Sequence, residues 1–425
     1  VKTEVSLGQA ELLLSLYHLL LAWFLDKWLL DKLLFATLLF AASHAAASEP
    51  QTLDQLINAR LAYMKDVAAY KWLHQIPIED LAREQTVIKA AQQAGLQPGL
   101  TIEFSRLFFT AQIEAAKEIQ RYWFTQWQQT GAPQTAPDLV TEVRPKLIKL
   151  GNQIVAVLGQ PRPQTELSIH AEGLTQETAS KLELAIQAVA FYPNQLDQVI
   201  QSKILRVGTT LDYAPFSYEA QGEALGVDLD LAADLAQVLG AELVIVKTSW
   251  PTLMADLHKD KFDIGMSGIS INLDRQKTAF FSLPHHSGGK TPIGRCADVK
   301  KLNSLKKIDQ PNTRLVVNPG GTNQQFIQTS ITQADHRVYD DNRTIFNEII
   351  LGKADLMITD AIEVRLQTAL HPELCATMPG QTLTFQQKAF LMPRDHVWKA
   401  YVDTWLGQRT GEGTVEKAFS RHLTE

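Results

Sequence analysis

The sequence predicts a multidomain protein, an all-α helical N-terminal domain followed by an α/β domain, and three observations carry that expectation. At 425 residues the chain is longer than one ordinary core sustains. Up to Pro193 its apolar residues recur at three- and four-residue steps, the period of amphipathic helices. Beyond Pro193 short β-branched runs alternate with helical stretches, as in βαβ units. A net charge of −6 and a pI near 6.0 leave no basic field for nucleic acid.

Residues 1–47 stand apart. Two apolar runs, Leu12–Leu25 and Leu29–Ala42, are separated by Asp26, Lys27, Asp31 and Lys32. Neither reaches the roughly 20 residues that span a bilayer. The second has the form of a signal peptide: lysines in front, a short apolar stretch, then Ala45-Ala46-Ala47 before Ser48. Export with cleavage after Ala47 is expected. The mature chain then begins near Ser48, works in the periplasm and keeps no stable membrane anchor; a retained anchor is the alternative. Cys296 and Cys375 are the only cysteines, a disulfide candidate in an oxidising compartment, with two buried thiols as the alternative.

In the domain expected over 48–193, Leu53, Ile57, Leu61, Met64 and Val67 mark a helical stripe running to Trp72. Arg60 and Lys71 are eleven residues apart and nearly superimpose at 100° per residue, inside that apolar arc. A helix from Glu79 to about Ala94, stopped by Gly95, puts Arg83 beside Val87 and Ala90. A long helix from Ile102 to Gln128 carries Gln120 among Phe109, Ile113, Ala116 and Trp127. A last stripe, Val140, Leu147, Ile148, Val155 and Leu158, has Arg144 at its start, and Pro145 opens or kinks that helix. One cation alone reads as a snorkelling side chain. Four cations and an amide on apolar faces point to a pocket for a dianion between helices, because unpaired buried charge costs several kcal/mol.

The segments Leu56-Ile-Asn-Ala-Arg60, Ala69-Tyr-Lys71-Trp72, Pro77-Ile-Glu-Asp-Leu-Ala-Arg83 and Phe109-Thr-Ala-Gln-Ile113 through Gln120 resemble the secreted, all-helical class of chorismate mutases. The resemblance covers roughly residues 50–160, and Leu174–Tyr192 looks like that class's second, non-catalytic half. It implies that chorismate binds here and rearranges to prephenate without nucleophile or proton transfer. Arg60, Arg83 and Arg144 clamp its carboxylates, while Lys71 and Gln120 face the ether oxygen where charge grows. Because Gln120 donates without being protonated, no acidic pH optimum is expected.

The α/β domain is expected over 194–425. Ile204–Thr210 reads as a strand, Gly226-Val-Asp228 begins a helix through Leu239, and Glu242–Val246 is the next strand, a right-handed crossover. Phe262–Met266 leads into Ser267-Gly-Ile-Ser270-Ile-Asn-Leu-Asp-Arg275. At the carboxyl end of a strand, where open α/β sheets bind ligands, Ser267 and Ser270 offer hydroxyls and Arg275 a five-donor fork for a carboxylate. A capped surface turn is the bland alternative. Leu315-Val-Val-Asn318-Pro-Gly-Gly-Thr322-Asn323 runs a strand into a glycine-rich helix start suited to an anion.

In this order the pieces resemble periplasmic solute-binding proteins for polar amino acids. The resemblance implies a two-lobed, type II periplasmic-binding-protein-like fold, with lobe 1 at about 203–293 and 388–425 and lobe 2 at about 294–387. Thr248-Ser-Trp250-Pro, Gly289-Lys290-Thr-Pro-Ile, Thr359-Asp360-Ala-Ile-Glu363 and His371-Pro-Glu-Leu-Cys375 narrow it to the cyclohexadienyl dehydratases. These convert prephenate to phenylpyruvate, or arogenate to phenylalanine. The resemblance makes Glu363 the general acid for the departing hydroxyl, although on spacing alone Asp360 and Glu363 form a helix capping pair. Arg275 and Thr322 then hold a carboxylate. Lys290, Asn318 and Asn323 orient the ring end, Trp250 forms an apolar wall, and Asp212 and Asp360 meet an amino group if arogenate is used. His285-His286 replaces the family's usual residues; adjacent rings diverge, so a loop substitution is expected and no metal.

The expectation is therefore a bifunctional, cofactor-free enzyme acting on chorismate and then prephenate. The alternative is a chorismate mutase fused to a non-catalytic binding module for an amino acid or aromatic acid. A weaker one makes the helical half a scaffold. Oligomeric state stays open, a homo-oligomer included.

Overall fold

Residues 52–131, 133–160 and 167–423 are described by a computed structural model. The expected export segment, 1–47, lies outside them. Where one helix is expected over Leu53–Trp72, two form, α1 (Leu53–Ala62) and α2 (Met64–Leu73), with a turn at Tyr63 between them. Helix α3 (Leu81–Leu96) starts where the Asp80 carboxylate accepts the Arg83 N–H at 3.0 Å. Gly95 does not stop it. A Cβ there would lie 2.6 Å from the Ser105 hydroxyl, so glycine lets α3 close on α4 (Ile102–Thr130). Thr101 caps α4, and Gly131, at φ 86°, ends it.

A π-turn over Leu139–Val143, capped by Asp138, leads into α5 (Arg144–Leu158), with Pro145 in its first turn. The wider turn shifts the expected stripe. Val140 and Ile148 are each 55% exposed, and Leu139, Val143 and Ile154 are buried instead. Helix α6 (Gln176–Gln187) packs on α4. Helix α7 (Gln195–Ser202) then enters the α/β half, its Gln198 amide donating to the Leu96 carbonyl at 3.2 Å.

Two five-stranded sheets follow. The first runs in the order Glu242–Lys247, Ile204–Thr209, Ile264–Gly265, Leu391–Met392, Phe280–Phe281. Its central strands are parallel, and the last two pairings are antiparallel. Helices Val227–Leu239 and His396–Gly411 bury Leu231, Leu235, Trp398 and Trp405 against it. The second sheet runs Asp335–Val338, Arg314–Val317, Leu356–Asp360, Lys290–Arg295, Leu374–Ala376.

The lobe boundary differs from the expected one. Strand Lys290–Arg295 pairs antiparallel with Leu356–Asp360, bringing Lys290 opposite Asp360, so residues 290–293 belong to the second sheet. The chain crosses earlier, at His286–Gly288, and returns at Gln386–Lys388; these two segments pair antiparallel with each other. The reason is burial: Lys290 to Gly294 lie wholly inside, between two partner strands. Cys296 and Cys375 form a disulfide next to that pairing. Among the described residues no helix is long and apolar enough to cross a membrane.

Candidate active sites

Helices α1 to α5 enclose a cavity of about 420 Å³ whose walls include Arg60, Lys71, Arg83, Gln120 and Arg144. Arg60 is 8% exposed, and its Nε and one Nη have no hydrogen-bond partner among the described residues. Burial pushes its guanidinium down to about 10, so it is charged at neutral pH. A buried, unpaired guanidinium is costly in the protein alone and useful only to an arriving anion. Lys71 donates to the Ile78 carbonyl at 2.6 Å, which spends one of its three N–H bonds. Desolvation lowers its pKa, against the pull of Asp80 and Glu84. Gln120 donates to the Ala116 carbonyl at 3.0 Å, and its buried Oε1 has no partner among the described residues.

Sequence inspection missed one neighbour. Lys117 also lines the cavity and pairs with Glu84 at 3.3 Å and Glu114 at 2.6 Å. Its position one helical turn before Gln120 was the available signal.

The second site lies at the carboxyl ends of the two sheets. Trp250, Ser270, Arg275, Asn318, Thr322, Asn323 and Asp360 line a cleft with about 20 Å³ of free space, room for little more than a water. Burial lowers the Arg275 pKa, and no carboxylate lies within salt-bridge reach of it among the described residues. Gly268, at φ 63°, brings bare backbone to the cleft; a Cβ there would meet the Phe216 ring at 2.5 Å. Its N–H donates to the Asp228 carboxylate at 2.7 Å, and His285 approaches the other oxygen of that carboxylate at 3.0 Å.

Ser267 does not face the cleft. It is fully buried, and its hydroxyl bonds the Thr210 hydroxyl at 2.7 Å and accepts the Thr210 N–H at 3.1 Å. Its place is behind the site, where it anchors the neighbouring strand end. Asp212 also stands back, accepting the Trp250 indole N–H at 3.1 Å; burial raises its pKa. His286 is pushed down to about 4, by burial first and then by His285 and Lys388. Among the described residues no cluster of three His, Cys, Asp or Glu side chains is placed to hold a metal.

Glu363 sits in the first turn of the helix Ala361–Leu370 and is 2% exposed. Asp360, at the N-cap, makes no capping hydrogen bond, so the capping-pair alternative fails. Its carboxylate instead takes Lys388 at 2.6 Å, the Tyr213 hydroxyl at 2.5 Å and Lys290 at 3.3 Å. Burial pushes that carboxyl up, but Lys388 and Lys290 override it and hold the pKa well below the usual range. Glu363 has the opposite balance. Desolvation and the adjacent Asp360 charge outweigh the Thr359 hydrogen bond and the two lysines, and its pKa rises to about 8. A polar chain joins it to the cleft: Thr359 donates to Glu363, the Asn323 amide donates to Thr359 at 3.0 Å and to Asn318 at 2.9 Å, and Lys290 donates to Asn323. Lys388 and Tyr213 were not singled out as site residues. A lysine opening the buried run Ala389–Met392 was the available signal.

The model of the bacterial extracellular solute-binding proteins, family 3, matches residues 205–425, just over half of the chain. The chain belongs to that family. This family 3 solute-binding protein carries, at its other end, a match to chorismate mutase type II over residues 51–121. Its α/β half groups with the cyclohexadienyl dehydratases. Cyclohexadienyl dehydratase of Pseudomonas aeruginosa is 51% identical over 251 residues, which is 59% of this chain and 94% of that enzyme. The secreted chorismate mutase of Yersinia pestis is 37% identical over 105 residues, 25% of this chain and 56% of that enzyme. The crystal structure of an ancestral amino acid-binding protein, described as a precursor of cyclohexadienyl dehydratase, aligns with 30% identity and a TM-score of 0.50, over 54% of this chain and all of that one.

Proposed function

We propose that the protein is a bifunctional enzyme of phenylalanine biosynthesis that rearranges chorismate to prephenate and then converts prephenate by decarboxylative dehydration. In the helical cavity, Arg60, Arg83 and Arg144 hold the two carboxylates of chorismate in a compact conformer, and Lys71 with Gln120 donates to the ether oxygen as its bond breaks. Unpaired Arg60 supports this half. The step is unimolecular, so holding the conformer and stabilising charge suffice.

In the α/β cleft, Arg275 and Thr322 bind a substrate carboxylate. Loss of carbon dioxide leaves its bonding pair to the ring, the ring becomes aromatic, and the departing hydroxyl takes the Glu363 proton and leaves as water. The carrying observation is a buried glutamic acid, its pKa pushed up to about 8 by desolvation, at the end of a hydrogen-bond chain from the cleft. A binding module that merely grips a ligand has no use for such an acid. The roles of these side chains, the signal peptide and a periplasmic location belong to this proposal, as do chorismate and prephenate as ligands. Membership of an extracellular family, with a secreted mutase among the relatives, supports work outside the cytoplasm.

The test feeds chorismate to the purified protein and follows prephenate and phenylpyruvate over time. Lys71→Ala should leave chorismate unconsumed, and Glu363→Gln should stop the sequence at prephenate. Phenylpyruvate formed at the parental rate by Glu363→Gln would reject the acid; unchanged chorismate use by Lys71→Ala would reject the helical site.

A further inference from the structure

Resting on the dehydratase reading, we infer that the buried Lys388–Asp360–Lys290 cluster makes the cleft select a 2-oxo acid side chain over an α-ammonium one, that is, prephenate over arogenate. The two substrates differ only there. An ammonium needs an acceptor carboxylate, and Asp360 is the acid lining the cleft. It is already engaged: Lys388 and the Tyr213 hydroxyl meet one oxygen, at 2.6 and 2.5 Å, and Lys290 meets the other at 3.3 Å. Two lysines crowd one carboxylate, and the three side chains are at most 7% exposed. At that depth, little solvent screens a third cation from the first two.

Lys388 is held from several sides. Its ammonium also donates to the Ser270 hydroxyl at 2.9 Å and lies 5.1 and 5.8 Å from the ring centres of Tyr213 and Phe216. It therefore joins Ser270, from the loop after the first sheet's central strand, to Asp360 at the end of a strand of the second. Of its three N–H donors, one serves Ser270 and one Asp360; the third is left for the cleft that Lys388 lines. A keto oxygen accepts it, and an ammonium cannot. Asp212 is not part of that lining, and its carboxylate accepts the Trp250 indole N–H.

The test measures kcat/KM for prephenate and for arogenate in the parental protein, Lys388→Met and Lys388→Arg. The parental enzyme should favour prephenate at least tenfold, chiefly through KM. Lys388→Met should narrow that ratio at least tenfold by losing the keto contact and releasing Asp360 to an ammonium, whereas Lys388→Arg should keep the preference. Equal or arogenate-favouring parental values overturn the preference while leaving the dehydratase reading intact, and they do so even if the variants fail to fold. An unchanged ratio in folded Lys388→Met removes Lys388 from the role. Product from neither substrate overturns the dehydratase reading and this inference with it.

Discussion

Glu363 and Asp360, three residues apart on one helix start, are driven to opposite protonation states by their partners. Asp360 has two lysines and stays ionised; Glu363 is desolvated beside that charge, and its pKa rises to about 8. A general acid works only while protonated, so dehydratase kcat/KM should decline as pH rises through about 8. Glu363→Gln should cost about 10²- to 10⁴-fold in rate and remove that decline from whatever activity is left, a pH–rate profile of both proteins being the check. Because the folded pKa lies above the unfolded one, the stability linked to this proton is complete below about pH 4.5 and is lost as pH rises through about 8. Thermal melts at pH 6 and pH 9 should therefore separate Glu363→Gln from the parent, with the variant relatively more stable at the higher pH. The mutase half, whose Gln120 carries no titrating proton, should show no fall in turnover above pH 6. Glu363 and Asp360 were both visible in the sequence, and the resemblance made Glu363 the expected acid. Spacing suggested a cap, and only the side-chain partners exclude it.

At the scale of elements, the helical cavity depends on register. Arg60 near the end of α1 and Lys71 near the end of α2 arrive on one wall despite the turn at Tyr63, since a helical turn there preserves the angular spacing that the sequence displays. Arg60 should be a functional residue held against stability. Arg60→Met removes an uncompensated buried cation and should leave the protein equally stable or more stable, by about 1–4 kcal/mol, while chorismate turnover falls by about 10²-fold or more. Denaturant unfolding paired with a mutase assay checks both signs; a clear loss of stability would mean that Arg60 has a structural partner. Val155 and Leu158 of the expected stripe are buried, while Val140 and Ile148 turn outward around a π-turn, since an i→i+5 turn leaves no mark in hydrophobic periodicity.

At the scale of the whole molecule, the cysteine pair ties the second sheet together. The disulfide joins residues 79 apart in sequence, and closing such a loop restrains the unfolded chain by about 4 kcal/mol. Reduction should lower the melting temperature of the α/β half, with dehydratase activity lost at a lower temperature than mutase activity. Parallel thermal inactivation curves, with and without reductant, provide the measurement. Equal shifts of both activities would mean that the halves unfold as one unit.

By itself the sequence determined the helical and α/β halves, the order of the pieces and the cations on apolar faces. Each of these is a local pattern, set by periodicity or by motif along a continuous stretch. The tertiary structure decided the rest. It assigned Lys290 to the second sheet, turned Ser267 away from the cleft, excluded the cap at Asp360 and brought Lys388 from far along the chain to Asp360 and Ser270. Those outcomes depend on which distant strands adjoin and which charges become buried together, and a buried charge is defined by its partners rather than by its neighbours in sequence.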